Sequence, residues 1–243
     1  MKVERLRRLA RIERDHFWFA GRRALIDRLL ERYLSSTPVI LDAGCGTGAM
    51  AERLSRRGYS VVGFDLRPEG LIEAKRARPE AAFFQAEAAR FPLPDSTFNC
   101  VLALDVFEHV DDCAMMAEIV RVLRPDGYLI LTVPALPYLW SYRDEAAGHL
   151  RRYTKSSLEM LINQARMEIR EIGYYQCLLL PLVVVTRRLA RKNAAWRDVE
   201  DLPSPPVNRL LTMINLAEVS LRRYIAWPSG SSLVAVCRKK SAV

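Results

Sequence analysis

The stretch Val39-Ile40-Leu41-Asp42-Ala43-Gly44-Cys45-Gly46-Thr47-Gly48 constrains the fold of this chain more than any other. A short apolar run breaks into three glycines at alternate positions and then into a helical pattern over 49–57. Glycine accepts left-handed backbone and leaves room where a Cβ would block an approaching ligand. The helix that follows offers unbonded N–H groups and the positive end of its dipole to an anion. A buried strand feeding such a turn is the start of a parallel βα unit.

The same alternation runs on from there. Ser60 to Phe64 reads as a second strand ending at Asp65, with a helix over 69–77. Ala82 to Gln85 and Cys100 to Leu104 read as strands three and four, and a helix spans 112–123. Arg124-Pro125-Asp126-Gly127 reads as a turn into a fifth strand, Tyr128 to Val133. Residues 135–153 read as a polar-aromatic loop and 155–166 as a helix, before a sixth strand from Glu168 to Tyr175. A helix over about 207–225 and a closing strand from Ser232 to Cys237 complete the pattern. The expected fold class is therefore α/β, a doubly wound, mostly parallel seven-stranded sheet. Its expected divisions are an N-terminal helical cap at 1–37, a core at 38–176, an insertion at 177–230 and the core's final strand at 231–243. Ligands of such sheets bind beyond the carboxyl ends of the strands, where Asp42, Asp65, Glu87 and Asp105 fall. The ligand is not named by the glycines alone. Gly44-x-Gly46-x-x-Ala49 also meets the relaxed dinucleotide fingerprint, and Asp65 could accept from both hydroxyls of a ribose in either case.

Composition narrows the setting. Half of the 243 residues are hydrophobic, so a sizeable core can form. Five scattered cysteines without a C-x-x-C offer neither a disulfide framework nor a zinc site. The first eight residues, Met1 to Arg8, lack the apolar core of a signal peptide, and a reducing, cytoplasmic setting is expected. The net charge of +9 divides into +5 over residues 1–40, −4 over 41–140 and +8 over 141–243. Basic flanks suit nucleic acid, an anionic membrane or an anionic substrate.

Five stretches in order across 39–133 resemble the class I S-adenosylmethionine-dependent methyltransferases. They are the glycine loop, Phe64-Asp65-Leu66, Glu87 to Asn99, Val106-Phe107-Glu108-His109-Val110, and Arg121 to Leu129 with its Leu-Arg-Pro-Asp-Gly. Asn99 and Asp126 stand where Asp and Gly are usual. The resemblance implies a Rossmann-like sheet and S-adenosylmethionine as cofactor. Gly44, Gly46 and Gly48 would line its methionyl and ribose portions, Asp42 would accept from its amino group, and Asp65, with Leu66 beside it, would hold the ribose. Glu87 and Ala88 would bracket the adenine, and Leu104 and Asp105 would face the sulfonium and the incoming acceptor.

Methyl transfer needs in-line positioning and, for some nucleophiles, a base. Three histidines occur, at 16, 109 and 149. His149, in Gly148-His149-Leu150-Arg151-Arg152-Tyr153, lies on the loop that borders the acceptor side and is the candidate base, with Asp105 its catalytic companion. His109 reads as a capping or packing residue. Asp105, Glu108, Asp111 and Asp112 invite a metal, but Asp111 and Asp112 read as helix caps, and no metal is expected. His16, Trp18 and Arg22 near the N-terminus, and Tyr138, Trp140, Arg151, Arg152 and Tyr153 after the fifth strand, supply aromatic walls and guanidinium groups for an acceptor. Residues 177–185 form an apolar run about half the length of a spanning helix, followed by Arg187, Arg188, Arg191, Lys192, Trp196 and Arg197. This edge suits either a lid or peripheral membrane contact through 177–197. The expected reaction is methylation of a small, hydrophobic acceptor. Its rivals are methylation of RNA or DNA, a nicotinamide-dependent oxidoreductase on the same glycine loop, and a cyclase or binding subunit that keeps the cofactor without methylating. Strand four ends in Leu104-Asp105-Val106-Phe107 rather than an Asn/Asp-Pro-Pro-aromatic signature, which argues against a flipped base. The sequence leaves the oligomeric state open.

Overall fold

A computed structural model describes residues 12–34, 38–192 and 203–241. Seven strands form one sheet: β1 (Val39–Ala43), β2 (Ser60–Asp65), β3 (Ala82–Gln85), β4 (Phe98–Leu104), β5 (Leu123–Pro134), β6 (Glu168–Tyr175) and β7 (Ser232–Arg238). Their order is β3-β2-β1-β4-β5-β7-β6. The first five pair in parallel, and β7 inserts antiparallel between β5 and β6. Chain order reverses between β1 and β4, and a crevice opens at such a switch point beyond the strands' carboxyl ends. Register puts Asp42 level with Gly63 and Leu102, and Leu104 level with Thr132, so the acidic strand ends share one edge.

Helices cover both faces because the central strands are apolar on both sides. One face buries Leu41, Val101, Leu129 and Ala235 under α4 (Asp112–Val122) and α6 (Lys155–Gln164). The other buries Ile40, Leu102, Ile130 and Val236 under α1 (Phe17–Tyr33), through Leu25, Ile26, Leu29 and Leu30, and under α2 (Ala49–Arg56) and α3 (Pro68–Ala77).

Three departures from the sequence reading have physical causes. The expected turn at 124–127 is absorbed into β5, because Asp126 N–H bonds to Lys239 O and Lys239 N–H to Gly127 O. Asp126 still carries a turn's left-handed backbone, φ +64°, which aspartate tolerates better than most residues. The expected loop 135–153 contains a further helix, α5 (Tyr142–Ala147), nucleated by a reciprocal cap between Ser141 and Asp144. Residues 177–185 are not one apolar segment: α7 (Leu180–Lys192) starts midway and is amphipathic.

Helix α8 (Pro205–Leu221) lies against α1, with Asn215 Nδ2 donating to Phe17 O at 3.0 Å and Arg28 donating to Val219 O at 2.6 Å. A Cβ on Gly21 would come within 2.9 Å of Asn215 Cβ, so the close crossing of the two helices requires that glycine.

Candidate active site

The loop after β1 builds the floor of the site. Gly44, Gly46 and Gly48 all have positive φ, +74°, +54° and +78°. A Cβ at Gly44 would lie 2.5 Å from Val106, and one at Gly48 2.6 Å from Ala74, so these two glycines serve the turn and the packing beneath it. Gly46 alone of the three faces open space. Its N–H donates to Asp65 Oδ2 at 2.9 Å, and Arg67 N–H donates to the other oxygen. The carboxylate of Asp65 is thereby fixed at the end of β2, with lone pairs to spare on each oxygen.

Asp42 is buried, and its Oδ2 has no hydrogen-bond partner within the protein. Burial pushes its carboxyl up to about 7; Arg22 opposes the rise, while Glu13 and Asp65 add to it. A buried carboxylate left short of a partner calls for a cationic or hydrogen-donating ligand. Asp105, just past β4, has φ +58° and is held by Thr132 Oγ1 at 3.0 Å. Its second oxygen accepts from Arg22 Nη1 at 2.6 Å. Arg22 reaches in from α1, its guanidinium over the Phe19 ring and 3.8 Å from Glu13. Burial works against its charge, but Asp105, Tyr175 and Glu13 together hold it above its ordinary value. Glu13 also accepts from Thr47 Oγ1 in the glycine loop. The sequence reading did not single out Glu13, since a lone glutamate before a helix carries no motif.

The fold also places the other expected residues. Leu104 is buried, Leu66 and Glu87 are exposed, and Ala88 packs against the core. His16 is the N-cap of α1, accepting from Trp18 N–H, and burial lowers its imidazole to about 4. Trp18 is half-buried, and Trp140 donates to Glu145 at 3.4 Å, while Tyr138 stands 67% exposed. The three residues expected to meet an acceptor after His149 are turned to intramolecular partners instead. Arg151 pairs with Asp112 at 2.7 Å. Arg152 is buried between Asp144, Ala135 O and Ser231 O. Tyr153 donates to Asp112 at 2.8 Å and lies 3.2 Å from Phe107 O. These contacts pin the loop to the sheet, which is why the loop is basic and aromatic yet not open. Arg187 behaves alike: it pairs with Asp144 at 2.7 Å and bonds to Leu139 O, so it is withdrawn from the basic surface expected of 177–197. Trp196 and Arg197 lie outside the described residues.

His149 is held by this same cluster. Its Nδ1 lies 3.1 Å from Asp144 Oδ1, and its Nε2 is 3.9 Å from Glu108. Asp144 is buried, which would favour its neutral form, but His149, Arg152 and Arg187 outweigh burial and hold it far below the usual carboxylate range. Asp144 was missed in the sequence; the Ser141-x-x-Asp144 spacing was the available signal. Asp111 caps α4 as expected, accepting from Ala114 N–H.

Residues 41–131 match the methyltransferase domain family. An uncharacterised methyltransferase of Mycobacterium bovis is 37% identical over 112 residues, 46% of this chain and 43% of that protein. The chain thus spans less than half the length of that relative. A malonyl-[acyl-carrier protein] O-methyltransferase of Enterobacter lignolyticus is 28% identical over 84% of this chain and 79% of its own length. The crystal structure of an S-adenosylmethionine-dependent methyltransferase from Methanosarcina mazei superposes with a TM-score of 0.60 at 19% identity, covering 88% of this chain and 98% of that one. The open glycine at 46 and the partnerless Asp42 oxygen fit S-adenosylmethionine, whose ribose, ammonium and sulfonium need a close backbone, acceptors and negative charge. Residues 41–131 thus carry a methyltransferase domain, and the fold around it is that of an S-adenosylmethionine-dependent methyltransferase.

Proposed function

We propose that this chain transfers the methyl group of S-adenosylmethionine to an oxygen, carbon or nitrogen of a small, hydrophobic acceptor. The observation that carries the reading is the cluster of carboxylates at the glycine loop: Asp65 accepts from Gly46 N–H, Glu13 accepts from Thr47, both act on the buried Asp42, and Asp105 shares Arg22 with Glu13. The cofactor supplies an activated methyl on a cationic sulfur. The protein's own work is to seat that cation, to aim the methyl and to keep water away. Asp42 and Asp65 hold the ammonium and ribose ends. Asp105, with its direction set by Thr132 and Arg22, faces the reacting end beside Leu104. Glu87 and Ala88, at the end of β3, flank the adenine.

The acceptor side is walled by α1, through Trp18 and Arg22, and by the segment from Tyr138 to His149. A small acceptor fits this arrangement better than a nucleic acid. Arg151, Arg152 and Arg187, which could have tracked phosphates, are spent on Asp112 and Asp144. The relative named for malonyl-[acyl-carrier protein] points the same way. Isothermal calorimetry with S-adenosylhomocysteine, NADH and NADPH, followed by labelled-methyl transfer to a panel of small acids, phenols and quinols, tests the reading. Binding of S-adenosylhomocysteine without the nicotinamides is expected, with label entering a small acceptor. Nicotinamide binding would overturn it, and label entering only tRNA would replace the acceptor class. Cofactor binding without any label transfer would favour a cyclase or a binding subunit.

Among the described residues no helix is long and apolar enough to cross a membrane. Peripheral contact is supported by a different set of side chains from those in the sequence reading. Leu182 and Val185 on α7, and Leu210 and Met213 on α8, are exposed, with Arg188 and Arg209 beside them. Sedimentation with anionic vesicles, compared with neutral ones, reads this contact directly.

A further inference from the structure

Glu108, His109 and His149 come together although 39 residues separate the two turns that carry them. One ligating atom from each lies within 4.8 Å of the others. Glu108 and His109 sit on the 3-10 turn Phe107–His109 after β4, and His149 follows α5. The loop is tied to that turn by Leu150 N–H donating to Glu108 O at 2.7 Å.

Each of the three presents an uncommitted electron pair. The Nδ1 of His149 faces Asp144 Oδ1 at 3.1 Å, and the Nδ1 of His109 faces Gly148 O at 3.2 Å. A carboxylate and a carbonyl only accept, so both Nδ1 atoms carry a proton, which in a neutral imidazole leaves the Nε2 lone pair for a ligand. The two rings meet edge to face, 4.8 Å between centroids. Glu108 is 1% exposed, and its Oε2 has no hydrogen-bond partner. Its other oxygen, Oε1, lies 3.9 Å from His149 Nε2, so a buried carboxyl with one unpartnered oxygen stands beside the two imidazoles, a costly arrangement for an empty protein.

We propose that Glu108, His109 and His149 form a binding site for a first-row divalent transition ion, on the acceptor side of the methyltransferase site. Two imidazoles and one carboxylate are a borderline-soft set that suits zinc, iron, cobalt or manganese rather than calcium or magnesium. Ligands at zinc distances stand about 3.3 Å apart, so about 1.5 Å of closure, within side-chain reach, completes the triangle. Asp144, fixed by Arg152 and Arg187, and Gly148 supply the outer-shell acceptors that orient such imidazoles. Three protein ligands leave coordination positions open, the arrangement of an ion that binds an oxygen of a second molecule. Here that molecule would be an acceptor carrying a hydroxyl, enol or carboxylate. The lone pair of His149 that sequence reasoning gave to a proton then belongs to the metal. The sequence reading found no metal because it weighed the carboxylates alone, and the second imidazole arrives only through the fold. The other cluster, Asp111, Asp112 and Cys113, is committed elsewhere, to the cap of α4 and to Arg151 and Tyr153.

The test uses the full chain, treated with chelator and desalted, titrated with Co2+ under visible absorption and calorimetry. One Co2+ per chain is expected, with ligand-field bands. Glu108→Gln, His109→Asn and His149→Ala should each weaken binding at least tenfold, whereas Cys113→Ser should leave it unchanged. His109 is exposed, so its replacement reads the site even if Glu108→Gln fails to fold. No saturable Co2+ binding, or affinity within twofold of the parent in the His109 and His149 variants, would overturn the proposal. Calorimetry with S-adenosylhomocysteine on the same metal-free samples reports the cofactor site separately, so failure of the metal site and failure of the methyltransferase reading give different results.

Discussion

The three glycines of the cofactor loop make a prediction that separates packing from binding. All have positive φ, so replacing any of them by alanine costs about 1–2 kcal/mol of backbone strain. At Gly46 the new methyl meets no protein atom within 4 Å, and strain is the whole cost. At Gly48 it comes to 2.6 Å from Ala74 Cβ and 3.1 Å from Ala74 Cα, a backbone atom that cannot swing aside. Overpacking of that kind adds about 1–3 kcal/mol. For a domain of this size, 1 kcal/mol shifts Tm by about 2–4 °C. Gly46→Ala should therefore melt about 2–8 °C below the parent and Gly48→Ala about 4–20 °C below it. Affinity should run the other way. On the proposed seating of the cofactor the Gly46 methyl enters its space, so S-adenosylhomocysteine should bind at least tenfold more weakly, about 1.4 kcal/mol. Thermal unfolding with and without S-adenosylhomocysteine, together with calorimetry, measures both effects. If Gly46→Ala binds within twofold of the parent, or is the less stable of the two variants, the assignment of Gly46 as the ligand-facing glycine is refuted.

Other substitutions probe the rim and the acceptor side. Asp65→Ala should weaken S-adenosylhomocysteine by about 1–3 kcal/mol, the cost of stranding hydroxyl partners; unchanged calorimetry would remove Asp65 from the ribose. Asp42 has a folded-state value of about 7 against 3.8 for a free aspartate, so the ligand-free folded chain holds a proton there that the unfolded chain has released. Stability should fall as pH rises from about 4 to 7, by about 4 kcal/mol at most. Asp42→Asn should flatten that slope in denaturant midpoints, and equal slopes in the two proteins would contradict it. Arg22→Met removes a buried cation from beside Asp105, so the ratio of S-adenosylmethionine to S-adenosylhomocysteine affinity should rise severalfold; an unchanged ratio would place the sulfonium elsewhere. His149→Ala should cut turnover at least tenfold while leaving cofactor affinity within twofold, and equal loss of both would make the loop purely structural.

The sheet was legible because its signals are local. Buried strands such as Val39–Ala43 and Ser232–Arg238 are built on short apolar runs, Val39 to Leu41 and Leu233 to Cys237, and glycines and prolines mark the breaks between them. Sequence and structure agree on β3 and β6 to the residue. Helix α5 was not legible as a helix, because six residues are too few for a periodic apolar face. Its only mark is the Ser141–Asp144 cap. Residues 177–185 misled for the opposite reason: a run of leucines and valines looks continuous, but Pro181 at the first turn of α7 starts a helix whose apolar side is partly exposed.

Charge was harder to read than hydrophobicity, since a cation's partner can lie anywhere in the chain. The sequence shows basic flanks around an acidic middle and invites the reading that the flanks face outward to a polyanion. The fold instead turns the important cations inward. Arg22 crosses 83 positions to reach Asp105, and Arg152 from the core and Arg187 from the insertion converge on Asp144. A buried guanidinium is costly unless it meets carboxylates in good geometry, and each of these does. The surplus positive charge of the flanks is therefore partly internal. It offsets the carboxylates that a cationic cofactor needs and that would otherwise repel one another beneath it. On this view the N-terminal helix belongs electrostatically to the cofactor site. Truncation through α1 would take Glu13 and Arg22 away together and leave Asp105 without its cation, so a truncated chain should lose cofactor binding along with turnover.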